Sequence, residues 1–469
     1  MKLPRAFPGH VSERVLALCL LAALLPSGRP ALAQEPPGTG AAAGTTSETP
    51  LRLSLDDAIS RGLRLNLGVL LAESGETAAR GERRQALAAL LPSVSGHVSE
   101  DRMKLNLAAY GLPVAPGESP LVGPFDVFDA RIAVDQKVFD QAARERSKAG
   151  RAGLEAARAD VRDARDLVVL AVTRLYLGVI ADRARLQATE AELETAQALA
   201  DLAKDQLAAG TVAKIDVLRS RVELDARRQR RIVAANDLEK DKLSLARAIG
   251  LPLAQAIELT DPVPYAPAPA VGLDQAFAEA RSRRGDLAAA KARLAAARAS
   301  LAAARGERLP SISVKADWGT IGPTPSASLT TFDVGAVLGI PLFLGGRVHS
   351  DVLAAEAGVR EAQSRLSDLQ AQVEYEIRGA LLDLDAADQR VTTAQAARDL
   401  ADDQLTEARD RLRAGVSGSL EVVQAQQSVA AAHESYIASL YAYNLAKVTL
   451  ARALGVAEER TAEFLKGSR

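Results

Sequence analysis

The spacing of apolar positions along the chain switches between two periods. Hydrophobic and polar residues alternate at every second position from 126 to 138 and from 332 to 340, and again after the Leu-Pro pairs at 91 and 309. Alternation at period two predicts β-strands with one apolar and one polar face. The pattern therefore predicts four strands, at about 92–104, 126–138, 310–319 and 331–341.

Helical periodicity takes over after the second and the fourth strand. The stretches 141–208 and 345–412 contain no proline, and each is about 68 residues long, which corresponds to roughly 100 Å at ~1.5 Å per residue. Gly210 and Gly415 then interrupt the pattern, as expected where a helix ends in a left-handed cap. Second helices return from these turns, which predicts two long helical hairpins, 141–249 and 345–454.

The same order of patterns occurs twice. The Leu-Pro-Ser segment at 91 returns 218 residues later, whereas the Ala-Arg-Ala segment at 246 returns 205 residues later. The difference of 13 predicts an insertion in the first copy, within the outer loop at 106–124. An internally duplicated unit follows. We predict a first repeat at 51–260 that opens with a helix over about 54–90, a Pro-rich linker at 261–270, a second repeat at 271–456 that opens with a helix over about 272–308, and a C-terminal tail at 457–469.

The first 33 residues have the pattern of a secretory signal peptide. Basic residues precede an apolar run at 15–25, and a small-x-small motif at 31–33 marks the expected cleavage site. Residues 34–50, rich in Pro, Gly and Thr, are predicted to form a disordered N-terminal tail. The single cysteine, Cys19, lies inside the apolar run, so we predict neither a disulfide nor a lipid anchor.

Composition narrows the possible functions. The net charge is −1, so the chain has no basic surplus for phosphate contacts and nucleic acid is not an expected partner. His97, His349 and His433 are scattered, which predicts no metal site and no cofactor. The sequence contains neither a phosphate-binding loop nor a nucleophile motif, so no enzyme is predicted. It also contains no run of about 18 apolar residues, so no transmembrane helix is predicted.

Two interpretations fit the alternating strands. One is a soluble antiparallel sheet with one wet face. The other is a set of membrane strands, because about 10 residues is the length that a tilted membrane strand needs, and aromatic residues gather beside these segments. The signal peptide favours the second. Four strands cannot close a barrel, so if these strands lie in a membrane, several chains must share one: two chains give eight strands and three give twelve.

The order of these elements resembles the outer membrane efflux protein family, the TolC-like channels, over about 51–456. The resemblance is carried by the paired Leu-Pro-Ser strand starts, by Ile-Pro-Leu-Phe-Leu-Gly-Gly at 340–346, and by the glycine turns followed by Ile-Asp-Val-Leu at 215 and Leu-Glu-Val-Val at 420. It implies a mainly α protein with membrane β-strands. It also implies a homotrimer in the outer-membrane lipid, with a twelve-stranded β-barrel and a long α-helical periplasmic tunnel. A periplasmic adaptor (a membrane fusion protein) and an inner-membrane pump are the implied partners.

The resemblance places the two helical turns at the periplasmic mouth of the tunnel. Asp216 and Glu421 stand at equivalent positions just beyond these turns, and with Gln424 they are the predicted pore constriction. Like charges at this place would favour cations. The alternative is that each acidic residue only stabilises the dipole of the helix that it begins. Candidate adaptor-docking residues at the exposed tips are Gly210, Thr211, Gly415 and Ser417.

The constriction departs from the family's best-known member. That protein has a second aspartate where Gln424 stands, and it has tyrosine and arginine where this chain has Leu412 and Ser417. A closing network built on those side chains is not possible here, so we expect the gate to be held differently.

The main functional prediction is an outer-membrane channel of a tripartite efflux or type I secretion system, a passive duct from periplasm to exterior. The alternative is a soluble periplasmic coiled-coil scaffold or adaptor protein. An adaptor would use a single helical hairpin and usually a membrane anchor, whereas this chain has two predicted hairpins and no predicted anchor.

Overall fold

The computed structural model describes residues 49–113, 115, 117–261, 265–414 and 416–466. The predicted signal peptide and nearly all of the predicted N-terminal tail lie outside these residues. So do Gly415 and three residues of the predicted linker, 262–264.

Within the described part, helices account for most of the chain. The helices are α1 (Leu55–Leu65), α2 (Leu67–Ala88), α3 (Gln141–Ala208), α4 (Lys214–Ala248), α5 (Leu273–Arg283), α6 (Gly285–Gly306), α7 (Arg347–Arg413), α8 (Ser419–Leu454) and α9 (Ala457–Lys466). The strands are β1 (Leu51–Leu53), β2 (Ser93–Asn106), β3 (Leu121–Phe139), β4 (Ile257–Leu259), β5 (Ser311–Gly322) and β6 (Leu329–Gly339).

The four long strands form one antiparallel sheet in the order β2-β3-β5-β6. Trp318 of β5 lies opposite Ile132 of β3 on one side and opposite Phe332 of β6 on the other. Directly opposed residues share a face, so these large side chains form one apolar face. Trp318 is 59% exposed and Phe332 is 77% exposed, so no part of the described chain covers this face.

The opposite face of the sheet is polar and carries ion pairs. Arg131 of β3 donates hydrogen bonds to Asp129 on its own strand and, at 2.9 Å from Nη1, to Asp317 of β5. Gly319 is the residue opposed to Arg131 in the ladder, and a Cβ at Gly319 would lie 2.4 Å from the Cβ of Arg131. The absence of a Cβ at Gly319 therefore leaves room for the side chain.

The two helices predicted over 54–90 and 272–308 each consist of two helices. The breaks fall at Asn66 and Arg284, whose backbones are extended, with ψ of 131° and 124°. Each side chain has a tertiary partner at the break: Asn66 Nδ2 donates to the carbonyl of Ala248 at 3.0 Å, and Arg284 Nη1 donates to that of Ala453 at 3.2 Å. Apolar spacing continues across both breaks, and for this reason the sequence pattern did not reveal them.

Three elements were not predicted from the sequence: the strands β1 and β4 and the helix α9. β1 pairs in parallel with β4 and joins the start of the first repeat to its end. Residues 457–466, predicted as part of a C-terminal tail, form α9 and bury Phe464 completely. All three elements are short and lack a long periodic pattern of their own.

The deepest core lies where the short helices cover the long ones. Its residues include Leu53, Tyr176 and Leu245 in the first repeat, and Leu287, Ile377, Leu450 and Phe464 in the second. Toward the hairpin tips the contacts are thinner and rely on alanines, such as Ala196 with Ala200 and Ala408 with Ala425. Small side chains let the helices approach closely there. Among the described residues, no helix combines the length and apolarity needed to cross a membrane.

Candidate functional site: the tips of the two helical hairpins

The first hairpin turns through a glycine cap. Gly210 has φ of 75°, a left-handed conformation that a residue with a Cβ resists. The amide of Thr211 donates to the carbonyl of Gln206 at 2.9 Å, and the amide of Gly210 donates to that of Leu207 at 3.0 Å. This pair of bonds is a Schellman motif, which ends α3 and satisfies its last carbonyls. The Thr211 hydroxyl adds a second bond to Gln206, also at 2.9 Å.

The second hairpin has one matching backbone bond 205 residues later. The amide of Val416 donates to the carbonyl of Arg411 at 3.0 Å, which is the equivalent of the bond from Thr211 to Gln206. Gly415, predicted as a docking residue, lies outside the described residues. Ser417, predicted beside it, is partly buried, and its hydroxyl makes no hydrogen bond with the described part of the chain.

The two predicted carboxylates occupy the first turns of the returning helices. The backbone amide of Asp216 donates to the carbonyl of Ala213 at 3.0 Å, and that of Glu421 to the carbonyl of Gly418 at 3.2 Å. Both side chains are partly exposed. Their positions also fit the dipole interpretation, because an acidic residue in the first turn stabilises a helix wherever it faces.

Each carboxylate has an arginine partner, which the sequence analysis did not predict. Asp216 lies 3.7 Å from Nη1 of Arg219, one turn further along α4. Glu421 lies 3.2 Å from Nε of Arg411, which belongs to the end of α7. The first pair is therefore formed within one helix, and the second joins the two helices of a hairpin.

The two arginines stand at reciprocal positions in the repeats. The residue equivalent to Arg411 in the first repeat is Gln206, and the residue equivalent to Arg219 in the second repeat is Gln424. At these three pairs of equivalent positions, each tip has one carboxylate, one guanidinium and one amide, with the guanidinium and the amide exchanged. Gln424, predicted as a constriction residue, is exposed one turn after Glu421.

A shallow apolar groove separates the first turns of α4 and α8. It is lined by Ile215, Leu218 and Val222 from α4 and by Leu420, Val423 and Gln427 from α8. These residues are equivalent in pairs across the two repeats. The amide of Gln427 donates to Glu223 at 3.4 Å, so the groove is bridged by a hydrogen bond at its inner end.

Behind the tips, the first hairpin buries a charged cluster that sequence reasoning missed. Arg227 of α4 is 1% exposed. Its Nη1 lies 2.6 Å from Glu192 of α3, and its Nε lies 2.7 Å from Glu223. A buried arginine requires such partners. In the sequence, Arg227 belongs to the basic run at 227–231, which is typical of a solvated helix face, and nothing local to it indicates the opposing glutamate on α3.

A second charged cluster joins the first hairpin to the second. Arg185 of α3 binds Glu434 of α8 through two bonds of 2.8 Å, and it also bonds Asp182 on its own helix. Burial, together with the neighbouring carboxylate of Asp241, raises the pKa of Asp182 to about 6. The described residues contain no group of three or more metal-binding side chains arranged to hold a metal ion.

Comparison with known proteins places this architecture. The family model described as outer membrane efflux protein matches residues 58–251 and 276–456. Comparison with curated proteins gave no match.

Three solved structures illustrate the likeness in fold. The CmeC outer membrane channel of Campylobacter jejuni shares 18% identity and a TM-score of 0.75, over 91% of this chain and 93% of that one. The outer membrane protein VceC of Vibrio cholerae shares 20% identity and a TM-score of 0.74, over 86% and 96%. The open state of the MtrE outer membrane channel of Neisseria gonorrhoeae shares 17% identity and a TM-score of 0.74, over 91% and 98%. The TolC-like fold predicted from the sequence is thereby confirmed.

Proposed function

Because the chain belongs to the outer membrane efflux protein family, we propose that it is the outer-membrane channel of a tripartite efflux or type I secretion system. In this role it is a passive duct from the periplasm to the exterior. Such a duct needs a pore, a gate and a lining that sets selectivity, and it makes or breaks no bonds in its cargo.

The observation that carries the proposal is the incomplete sheet. β2 and β6 each have one strand neighbour among the described residues, so one edge of each is unpaired. Open edges are not tolerated in lipid, and the exposed Trp318 and Phe332 suit a lipid-facing surface. A homotrimer in which β6 of each chain pairs with β2 of the next closes twelve strands, and twelve strands enclose a pore.

The helices extend this pore away from the sheet. At ~1.5 Å per residue, the 68 residues of α3 span roughly 100 Å. Exposed apolar side chains lie along the outermost helices of the chain, including Val222 and Ile232 on α4 and Leu382 and Leu400 on α7. In the trimer these helices are neighbours, and they close a tunnel in the periplasm with the same symmetry as the barrel.

The hairpin tips then form the periplasmic mouth. Asp216, Glu421 and Gln424 line the constriction in this proposal. Gly210, Thr211, Gly415 and Ser417 present the tips to a periplasmic adaptor, through which an inner-membrane pump delivers cargo. The apolar groove between α4 and α8 adds a surface of the kind that helical partners bind.

The test is whether chains join edge to edge in the outer membrane. Cysteine pairs drawn from β2 and β6, such as Val98→Cys with Val334→Cys and its neighbours along each edge, are expected to give disulfide-linked trimers in isolated outer membranes. A pair on β2 and β5, such as Val98→Cys with Val314→Cys, is the control. β3 separates these two strands within the chain, so that pair is not expected to cross-link.

A detergent-extracted trimer that conducts ions in planar bilayers would support the channel. Recovery of a soluble periplasmic monomer, with no cross-link at any edge pair, would contradict it and favour the alternative of a coiled-coil scaffold or adaptor.

A further inference from the structure

The arginine partners of the tip carboxylates point to a more specific property of the mouth. Resting on the channel proposed above, we propose that Arg219 and Arg411 are specificity-determining residues. They hold Asp216 and Glu421 as ion pairs, so the mouth carries balanced charge and discriminates only weakly between small cations and anions.

The geometry gives each carboxylate its own counter-charge. The two ion-pair distances are 3.7 Å at Asp216 and 3.2 Å at Glu421. Both arginines are about half exposed, and Asp216 and Glu421 are partly exposed; at such sites an ion pair adds little to stability. Their effect on passing ions is larger. The Debye length at physiological salt is ~8 Å, so an ion that passes within this distance of the pair still feels its charge. An ion at the mouth is therefore acted on by the summed charge of each carboxylate and its arginine, and not by the carboxylate alone.

The exchange of Arg and Gln between repeats supports this reasoning. The second repeat has Gln424 at the position equivalent to Arg219, so α8 provides no arginine there for Glu421. Arg411 of α7 supplies the counter-charge instead. Likewise Gln206 stands where a second arginine would give the first tip an excess positive charge. In both tips the carboxylate is paired with one arginine, but the arginine comes from a different helix of the hairpin. Neither arginine is needed to begin or end a helix.

The two routes differ in what they hold together. The pair of Asp216 with Arg219 lies on one helix and is independent of the hairpin angle. The pair of Glu421 with Arg411 spans the turn between α7 and α8. Any movement that separates these helix ends uncovers the Glu421 carboxylate, so the second tip is the one at which selectivity responds to gate opening.

Other charges at the second tip are arranged differently. Arg413 is 76% exposed at its side chain and pairs with Asp410, three residues before it, at 3.2 Å. It sits two residues from Arg411 and has no contact of this kind with Glu421. Arg413 is therefore a matched control, because its removal takes the same charge from the same helix end.

The experiment measures the reversal potential of the purified trimer in planar bilayers under a KCl gradient. The wild-type channel is expected to be weakly selective. Arg411→Gln is expected to raise the K⁺/Cl⁻ permeability ratio several-fold, because each of the three chains loses one positive charge that acts at ~8 Å in a watery mouth. The double variant Arg411→Gln/Gln424→Arg copies the first tip into the second, and it is expected to restore the wild-type ratio.

Three outcomes would overturn the inference while leaving the channel proposal intact. One is an Arg411→Gln channel that conducts with wild-type selectivity. Another is a double variant that behaves like the single one. The third is an Arg413→Gln shift as large as that of Arg411→Gln, which would mean that only total tip charge matters. Failure of the wild-type chain to form conducting trimers would instead contradict the channel proposal itself.

Discussion

Arg284 donates a hydrogen bond from Nη1 to the main-chain carbonyl of Ala453 at 3.2 Å. In the first repeat, Asn66 and Ala248 make the equivalent contact at 3.0 Å. In each repeat, therefore, the break between the two short helices is fixed to the last turn of the returning helix. The contact is close: a Cβ on Gly455, just beyond that turn, would lie 2.7 Å from the backbone nitrogen of Arg284.

Replacing Arg284 with alanine should destabilise the second repeat. The guanidinium is 2% exposed and lies 2.6 Å from Asp286 and 2.7 Å from Glu376. Its loss leaves Glu376 without its ion-pair partner and leaves Asp286 with only the longer contact to Arg452, at 4.0 Å. We expect a cost of about 3 kcal/mol, the lower end for breaking a buried pair because Glu376 stays partly exposed. Urea unfolding of the purified protein followed by circular dichroism measures this cost.

Arg281→Ala, an exposed position on α5, is the control and should change the free energy of unfolding by less than about 0.5 kcal/mol. Equal effects at the two positions would contradict the role given to Arg284.

Replacing Glu421 with alanine should shift the channel toward anions. The substitution removes the carboxylate and leaves Arg411 without its partner, so each chain gains one unit of positive charge at the tip. Reversal potentials in a KCl gradient measure the shift. Glu361→Ala serves as control, because Glu361 also pairs with an arginine on α7 but lies near the other end of that helix. Unchanged selectivity and conductance in Glu421→Ala would remove Glu421 from the proposed constriction.

Replacing Asp182 with asparagine should stabilise the protein in a pH-dependent way. Burial and the nearby Asp241 raise the pKa of Asp182 to about 6, from an ordinary value of 3.8. The folded state therefore favours the protonated form, and ionisation costs stability. The cost is absent below about pH 4, grows as pH rises from 4 to 6, and is complete above 6. A shift of about two pKa units corresponds to at most about 3 kcal/mol.

The asparagine variant cannot ionise, and its amide oxygen still accepts a bond from Arg185. Its melting temperature should exceed that of the wild type at pH 8, and the difference should vanish at pH 4. Asp225→Asn, on the exposed face of α4, should show no such trend. A gain of the same size at both pH values would contradict the titration of Asp182.

Replacing Gly319 with alanine should disrupt the sheet. A Cβ at this position would lie 2.3 Å from the carbonyl oxygen of Ala130 and 2.4 Å from the Cβ of Arg131. Either β3 and β5 separate or Arg131 leaves Asp317, and we expect a loss of about 1–3 kcal/mol or more from overpacking. Thermal dissociation of the detergent-solubilised protein measures the loss. Gly335→Ala is the control, since the nearest atom to its Cβ would be 3.9 Å away. A Gly319→Ala protein as stable as the control would show that the strands can adjust.

Periodicity was enough to predict the long elements. The strands and hairpins run for many residues, so apolar spacing at period two or 3.6 is unambiguous there. The breaks at Asn66 and Arg284 were not predictable, because their partners lie far along the chain and the local pattern is continuous. The pairing of β1 with β4 was not predictable either, because strands of three residues are too short to show a periodic pattern.

At the tips, the carboxylates were predictable from their repeat-equivalent positions and their partners were not. Whether Asp216 meets Arg219 or Gln206 depends on how the helices cross at the turn, which the sequence does not state. The buried Arg227 illustrates the same limit: a basic run is typical of solvent-exposed surface until an opposing Glu192 is brought against it.

The unpaired edges of β2 and β6 also bear on how the protein is made. Free strand edges pair with any extended chain that they meet. If the proposed trimer forms, a newly made chain has two unpaired strand edges until its neighbours bind, and this interval shortens as the local concentration of identical chains rises. Slow synthesis therefore leaves each chain open to misassembly and proteolysis for longer than rapid synthesis does. The amount of assembled protein should consequently rise more steeply than the rate of synthesis.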